Sequence, residues 1–152
     1  MVMKRDKRGK RIVVAIDTSD NAIHVIEKAA EIADMVGGAD VIVLTVVEVP
    51  FVASEGEMNM ARIASEEKRI AEYHKQLIDR YFAGSTDMLV ESMILYGDAG
   101  DKICELAEKV HADLVVVGSR GLGRIESMLL GSVSEKVLRK CRCSVLVVKS
   151  SK

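Results

Sequence analysis

Short apolar runs alternate with amphipathic stretches along the whole chain, and no other feature of the sequence constrains the fold as strongly. Five of the runs are rich in Val, Ile and Leu, and several lack polar alternation, as strands covered on both faces require. Strands that alternate with helices are typical of βα units around a mainly parallel sheet. The sequence therefore predicts a single α/β domain with strands at residues 11–16, 40–47, 88–95, 113–117 and 144–148.

The stretches between these strands carry the spacing and the end signals of helices. The first helix is expected to begin near residues 17–20 and to end at Gly37 and Gly38. The second is expected over residues 58–82, with His74 among the apolar side chains of one face.

Two further helices follow in the second half of the chain. Asp98 is the expected cap of the third helix, whose apolar stripe includes Cys104. Val133, Val137 and Leu138 form the expected stripe of the fourth. The one long connection, residues 48–57, either covers a site or is an ordinary surface excursion.

Length and composition indicate one compact domain of 152 residues, 49% of them hydrophobic. Residues 1–10 are predicted to be a flexible basic arm, and residues 11–150 the folded domain. No apolar run approaches the roughly 18 to 20 residues that a membrane span needs, and no signal segment is recognisable, so a cytoplasmic location is expected. The net charge of −1 gives no general case for nucleic acid or an anionic membrane.

The three cysteines and three histidines give no sign of a metal or catalytic cluster. An odd number of cysteines in a chain with ample core predicts no disulfide framework, and Cys141 and Cys143 lack further ligands at zinc-site spacing. They are predicted to be ordinary thiols. The histidines, at positions 24, 74 and 111, lie on separate helical segments and are expected at helix surfaces or core edges.

A glycine-punctuated loop after the fourth strand is the strongest functional signal. Residues 118–132 read G-S-R-G-L-G-R-I-E-S-M-L-L-G-S, and Gly118, Gly121 and Gly123 lack the Cβ atoms that would keep a ligand from the backbone. Gly131 precedes a helix start whose free amides and dipole favour an anion. The loop is therefore predicted to bind phosphate.

Two familiar phosphate motifs do not fit this loop. A Walker loop requires Lys and Ser or Thr after its second glycine, whereas Arg124 and Ile125 follow Gly123. A dinucleotide fingerprint requires a third glycine where Glu126 stands, and it follows the first strand of its fold. The pattern that does fit is glycine at 118, 121 and 131 with Ser132 directly after.

With this spacing the sequence resembles the universal stress protein family, in its ATP-binding branch. The resemblance covers nearly the whole chain, and one departure is Ala15, where some ATP-binding relatives carry proline. The segments that carry it are V-V-A-I-D at 13–17, L-T-V-V at 44–47, A-D-L-V-V-V-G-S at 112–119, L-G-S-V-S at 130–134 and C-S-V-L-V-V at 143–148.

The resemblance implies a doubly wound five-stranded parallel sheet of order 3-2-1-4-5 with about four helices, as in adenine nucleotide alpha-hydrolase-like folds. It places ATP, AMP or ADP across strands one and four, with Mg²⁺ or Mn²⁺ held through the phosphates. Asp17 and the backbone of Val46 would meet the adenine, Ala15 would line its pocket, Gly118 would approach the ribose, and the later residues would hold the phosphates. The residues so implied are Ala15, Asp17, Val46, Gly118, Ser119, Arg120, Gly121, Gly131, Ser132, Val133 and Ser134.

Simpler roles stay open for three of these residues, because Asp17, Ser132 and Ser134 are also residue types that cap helices. The loop offers no evident base or metal ligand for hydrolysis, so a nucleotide-dependent stress regulator is predicted rather than an enzyme. The resemblance also implies homodimers paired through residues 144–148.

Two other functions are weighed against this one. The first is a weak ATPase or an adenylate-transferring relative, although residues 17–20 lack the S-G-G-x-D-S loop of adenylating members. The second is an interaction module without ligand, against which the intact glycine loop argues.

Overall fold

The computed structural model describes residues 9–48, 56–120 and 130–149, and over 56–59 it describes the backbone alone. In this part of the chain, strands and helices alternate as the sequence predicts. The elements are β1 (Lys10–Ala15), α1 (Asn21–Met35), β2 (Ala39–Val47), α2 (Gly56–Tyr81), β3 (Val90–Tyr96), α3 (Ala99–Lys109), β4 (Leu114–Gly118), α4 (Ser132–Lys140) and β5 (Ser144–Val148).

The strands form one parallel sheet of order β3-β2-β1-β4-β5, which confirms the predicted order. The chain builds outward from β1 through β2 to β3, then returns to place β4 on the other side of β1. The order therefore reverses between β1 and β4. At such a switch point the loops leave the carboxyl ends of the two strands in opposite directions and open a crevice.

Helices cover both faces of the sheet, which explains the unbroken apolar runs. Ile12, Val14 and Val43 point towards α1 and α2. Val13 and Leu44, which alternate with them, point towards α3 and α4. The three central strands β1, β2 and β4 therefore bury both of their sides.

The predicted helix ends are partly confirmed. The Asp98 carboxylate accepts a hydrogen bond of 2.9 Å from the Asp101 amide and caps α3. Gly37 and Gly38 adopt positive φ angles of 80° and 105° directly after α1, a conformation that glycine tolerates best. The cap position of α1 is Asp20, and its side chain makes no capping hydrogen bond.

Several strand limits differ from the prediction by one or two residues. β1 begins at Lys10, the last residue of the predicted arm, whereas residues 1–8 lie outside the description. β4 begins after Asp113, whose carboxylate accepts a hydrogen bond of 2.9 Å from the Arg11 amide. Arg11 itself is buried, and its guanidinium donates to the Val110 carbonyl at 2.7 Å.

The apolar stripe predicted for α4 is wrong at Leu138, which is 45% exposed. Lys136 and Lys140 pair with Asp101 on α3, so that side of α4 faces α3. Leu138 lies two residues from each lysine and therefore projects from the opposite side of the helix, away from α3.

The expectation that the chain forms no disulfide is also wrong, because Cys104 and Cys141 are bonded to each other. Cys104 lies on α3 and Cys141 is the C-terminal cap of α4, and their Cα atoms are 5.0 Å apart. The two helices pack side by side, which brings together residues 37 positions apart in the sequence. Cys143 is a free thiol, and burial raises its pKa.

His74 is fully buried, where a helix surface or core edge was predicted. Its Nε2 lies 2.7 Å from the Thr45 hydroxyl and its Nδ1 lies 2.7 Å from the Ser92 hydroxyl. Burial lowers the pKa of His74 from 6.5 to about 4, because the interior disfavours the charged imidazolium. The helical spacing that placed His74 on an apolar face was correct, but it could not show how deep that face lies.

No helix in the described ranges combines the length and apolar character that crossing a membrane requires.

Breaking the Cys104–Cys141 disulfide is expected to lower the free energy of unfolding by about 3 to 4 kcal/mol, since the bond restricts the unfolded chain. Urea unfolding of oxidised protein, with and without reductant, measures this. Cys141→Ser should reproduce the reduced curve, and Cys143→Ser is the matched control that should not. Detection of three titratable thiols in denatured, unreduced protein would contradict the bond.

Acidification is expected to destabilise the protein through His74. Between pH 6.5 and about 4 the unfolded chain binds a proton at this residue and the folded protein does not, so folding stability falls as pH falls, by roughly 3 kcal/mol over that window. Urea unfolding at several pH values should show a shallower dependence for His74→Gln than for wild type. The exposed His24 supplies the control, His24→Gln, and equal slopes for both variants would refute this account.

Candidate functional site

A cleft of about 440 Å³ opens at the carboxyl ends of the strands where the sheet order reverses. Its walls come from the ends of β1, β2 and β4 and from the N-terminal parts of α1, α3 and α4. The lining residues are Ala15, Ile16, Asp17, Asn21, Ala22, Val25, Val46, Glu48, Ala99, Ile103, Val117, Gly118, Ser119, Arg120, Gly131, Ser132, Val133 and Ser134.

Ten of the eleven residues that the sequence analysis selected line this one cleft. The eleventh, Gly121, lies outside the described residues, as do Gly123, Arg124 and most of the predicted covering segment 48–57. The fold thus brings together residues that are up to 119 positions apart, from Ala15 to Ser134.

The Ser119 carbonyl joins the end of β4 to the start of α4. It accepts a hydrogen bond of 2.6 Å from the Gly131 amide. It also accepts one of 3.3 Å from the Ser134 hydroxyl. The Ser119 amide in turn donates to the Val148 carbonyl at 2.8 Å, which ties this junction to β5. The end of β4 and the start of α4 are therefore held together at one point.

The N-terminus of α4 presents three backbone amides at the cleft. Gly131 is the cap residue, and the first hydrogen bond of the helix runs from the Glu135 amide to the Gly131 carbonyl at 3.0 Å. The amides of Ser132, Val133 and Ser134 precede that bond and have no partner within the helix. Together with the positive end of the helix dipole, they form a suitable site for an anion.

The Ser134 side chain does not take the orientation that a phosphate-binding hydroxyl would need. It is buried and donates to the carbonyls of Gly131, at 3.0 Å, and Ser119, at 3.3 Å. The Ser134 hydroxyl therefore stabilises the turn into α4, and the Ser134 backbone amide is one of the three at the helix start. Ser132, in contrast, is exposed at the helix start.

Two glycines of the motif have close neighbours within the protein itself. A Cβ atom on Gly118 would lie 2.6 Å from Asn21 Nδ2 and 3.2 Å from a Val25 methyl group on α1. A Cβ atom on Gly131 would lie 3.3 Å from the Ser119 carbonyl oxygen. The sequence analysis attributed Gly118 to close approach of a ligand and placed Gly131 before a helix start. Contacts with α1 and with the Ser119 carbonyl give each glycine a second reason that lies in the protein itself.

Asp17 lies in the cleft and does not cap α1. Its Oδ1 accepts hydrogen bonds from the amide of Ser19, at 2.9 Å, and from the Ser19 hydroxyl. This contact holds the carboxylate beside the end of β1, three residues before the cap position, Asp20. The alternative role of Asp17 as a helix cap is therefore wrong.

Asn21 is the most informative lining residue that the sequence analysis missed. It is 4% exposed, and its Nδ2 donates to the Arg120 carbonyl at 3.4 Å. Its Oδ1 is buried without a hydrogen-bond partner among the described residues. The helix propensity pattern marked residue 21 only as part of α1, and no sequence signal points to its contact with the glycine loop.

The other lining residues that the sequence analysis missed are apolar, except for one carboxylate. Ala99 and Ile103 on α3 add apolar surface to the cleft, and Glu48 adds a carboxylate after β2. Acidic side chains thus follow β1 and β2, whereas Arg120 and the α4 amides follow β4. The cleft therefore has one acidic end and one end suited to anions.

Comparison with known sequences gives a consistent family assignment. The profile of the Universal stress protein family matches residues 9–149. Universal stress protein MJ0531 of Methanocaldococcus jannaschii is 34% identical, and the match covers 94% of this chain and 84% of the relative. Stress response protein NhaX of Bacillus subtilis is 29% identical, with coverage of 91% and 97% respectively.

Solved structures share the fold. Hypothetical protein MJ0577 superposes with a TM-score of 0.83 at 24% identity, covering 94% of this chain and 97% of that one. A universal stress protein in complex with cAMP has a TM-score of 0.70 at 29% identity, with coverage of 94% and 98%. The universal stress protein of Archaeoglobus fulgidus in complex with dAMP has a TM-score of 0.63 at 26% identity, with coverage of 92% and 98%. The chain belongs to the universal stress protein family.

Proposed function

We propose that the protein binds an adenine nucleotide, ATP or its AMP and ADP relatives, and acts as a nucleotide-dependent regulator of a stress response. In this proposal Asp17 and the backbone of Val46 contact the adenine, and Ala15 lines the base pocket. Gly118 lies beside the ribose. Ser119, Arg120, Gly121 and the first residues of α4, from Gly131 to Ser134, surround the phosphates.

The observation that carries the proposal is that groups suited to a base and groups suited to a phosphate line one cleft. A carboxylate and a strand end suited to a base lie on β1 and β2, and three helix-start amides lie after β4. An aspartate can accept a hydrogen bond from an exocyclic amine, and free amides can donate to phosphate oxygens. A crevice at a topological switch point is where open α/β sheets bind ligands.

The structural relatives support the adenine preference. One was solved with cAMP and another with dAMP, two ligands that share an adenine base and a phosphate but differ in the sugar. ATP fits the same chemistry with a longer anionic tail. A divalent cation, Mg²⁺ or Mn²⁺, is expected to be held through the phosphates of that tail.

The lining residues favour binding over hydrolysis. Two carboxylates, Asp17 and Glu48, line the described part of the cleft, and they follow β1 and β2 rather than the phosphate end. A hydrolase would place a base or a metal-held water at the γ-phosphate. The weaker candidate, a slow ATPase, is tested by incubating the protein with Mg²⁺ and ATP and measuring phosphate release.

We further propose a cytoplasmic homodimer, paired through the edge strand β5. β5 pairs only with β4 in the described sheet and carries Val145, Leu146 and Val147 on an open edge. An apolar edge strand is usually covered. The exposed Leu138 of α4 lies on the side of that helix away from α3, where a partner at β5 would bury it.

Removing one amide from the start of α4 is expected to weaken nucleotide binding. Ser132→Pro deletes the amide but suits the first position of a helix, and Gly131 before it is already extended, with φ −76° and ψ 165°. Calorimetric titration should show ATP affinity about tenfold to a hundredfold lower, the cost of one charge-assisted hydrogen bond. Unchanged ATP affinity would show that the start of α4 does not contact the ligand.

Ser132→Ala is the matched control, since it deletes the hydroxyl and keeps the amide. It should cost less affinity than Ser132→Pro, and thermal unfolding should show that both variants are as stable as wild type. Mass spectrometry of the unsupplemented native protein tests the proposal independently. Absence of AMP, ADP or ATP there, together with no titration signal at millimolar ATP, would reject nucleotide binding.

The proposed dimer predicts unequal effects of two exposed leucines. Leu138→Lys places a charge beside the β5 edge and should weaken the dimer by at least tenfold, because the charge would lose its hydration on association. Leu89→Lys is the control: Leu89 is 50% exposed and lies just before β3, at the opposite edge of the sheet. Sedimentation equilibrium at micromolar concentration measures both, and a monomeric wild type would end this proposal.

A further inference from the structure

A chain of polar groups around the buried His74 links α2 to three neighbouring strands behind the cleft. The Thr45 hydroxyl on β2 donates to the Ile16 carbonyl at the end of β1, at 2.9 Å. The same hydroxyl lies 2.7 Å from His74 Nε2 on α2, and His74 Nδ1 lies 2.7 Å from the Ser92 hydroxyl on β3. His74 is 0% exposed and Thr45 is 7% exposed, so water does not compete for the bonds that Thr45 makes. Ser92, at the other end, is exposed.

The direction of each bond follows from the groups involved. The Ile16 carbonyl can only accept, so it takes the single proton of the Thr45 hydroxyl. Thr45 must then accept from His74, which places the imidazole proton on Nε2. Nδ1 is left as an acceptor for the Ser92 hydroxyl. One neutral tautomer therefore satisfies every member of the chain.

The polar chain fixes the position of the backbone that forms one end of the cleft. Ile16 precedes Asp17, and Thr45 precedes Val46, and Asp17 and Val46 line the cleft. Thr45 points towards α1 and α2, the face opposite to the one on which Leu44 packs. The polar chain thus holds the ends of β1 and β2 from behind, and its side chains, those of Thr45, His74 and Ser92, are not among the residues that line the cleft.

Packing alone does not explain a histidine at this place. Polar groups in an interior cost free energy unless every hydrogen bond is made, and an apolar side chain would fill the same volume without that requirement. Unlike apolar contacts, hydrogen bonds are directional, so they define the angle and the distance between two strand ends. The phosphate end has its own separate link, through the Ser119 carbonyl.

We propose that His74, acting through Thr45, is a positioning residue that sets the base-binding half of the nucleotide cleft. The inference rests on the proposed nucleotide function, and it specifies that the polar chain controls the base-binding half of the site. Loss of the link lets the ends of β1 and β2 shift relative to each other, which misplaces Asp17 and the Val46 backbone. The amides of α4 keep their position.

The test compares ATP with inorganic tripolyphosphate, which has the anionic tail and no base. Thr45→Val removes the hydroxyl and keeps the shape of the side chain, whereas Thr45→Ser keeps the hydroxyl and is the matched control. Calorimetry should show ATP affinity about tenfold lower in Thr45→Val, with tripolyphosphate affinity unchanged and with Thr45→Ser close to wild type. Ser92→Ala, which releases the imidazole at its other nitrogen, should show the same selective loss at smaller size.

Other outcomes overturn the proposal. Equal affinity for ATP in Thr45→Val and wild type would show that the link does not position the site. Equal losses for ATP and tripolyphosphate would show general damage to the fold. A loss of ATP affinity in Thr45→Ser as large as in Thr45→Val would show that the Thr45 hydroxyl is not what positions the site. If wild-type protein binds neither ligand, the proposed function itself fails, and that result is distinct from all of these.

Nitrogen-15 NMR of labelled protein provides a readout that does not depend on ligand. His74 should give the signature of a neutral ring protonated at Nε2, and Thr45→Val should change the Nε2 shift while Thr45→Ser preserves it. A ring protonated at Nδ1 in wild type would reverse the bond directions and refute the link to the Ile16 carbonyl.

Discussion

The reversal of strand order between β1 and β4 is the constraint on which the rest of the structure depends. Parallel strands need crossover connections, and a change of direction puts α1 and α2 on one face and α3 and α4 on the other. Because adjacent loops diverge at that point, the carboxyl ends of β1 and β4 leave a crevice that no side chain of the sheet fills. The position of the cleft therefore follows from the strand order, and the lining residues then determine what the cleft can bind.

Polar contacts at the strand ends give the crevice a defined shape. On one side, the Ser119 carbonyl closes the β4–α4 junction on Gly131 and Ser134. On the other, Thr45 connects the ends of β1 and β2, with His74 behind it. Apolar packing between helices and sheet is strong but has little direction, so these buried hydrogen bonds, together with the backbone bonds between the strands, define the positions of the strand ends.

Much of the site could be predicted because its residues lie in short, contiguous motifs. The glycine and serine positions around Gly118 and Gly131 are visible in the sequence, and strand ends such as Asp17 and Val46 follow directly from the apolar runs. The contact of Asn21 with Gly118 could not be predicted, because it joins residues 97 positions apart. The Ser134 hydroxyl shows the same limit: its residue type suggested a ligand contact, and only the folded turn reveals its backbone partners.

By itself, the sequence determined the order of strands and helices, the predominance of a doubly covered sheet and the position of the glycine loop, because periodicity and turn residues act over a few neighbouring positions. Tertiary structure alone decided the depth of His74, the exposure of Leu138 and the pairing of Cys104 with Cys141. Those properties depend on which helix faces lie against each other. That arrangement depends on the sheet as a whole, so a local sequence pattern cannot predict it.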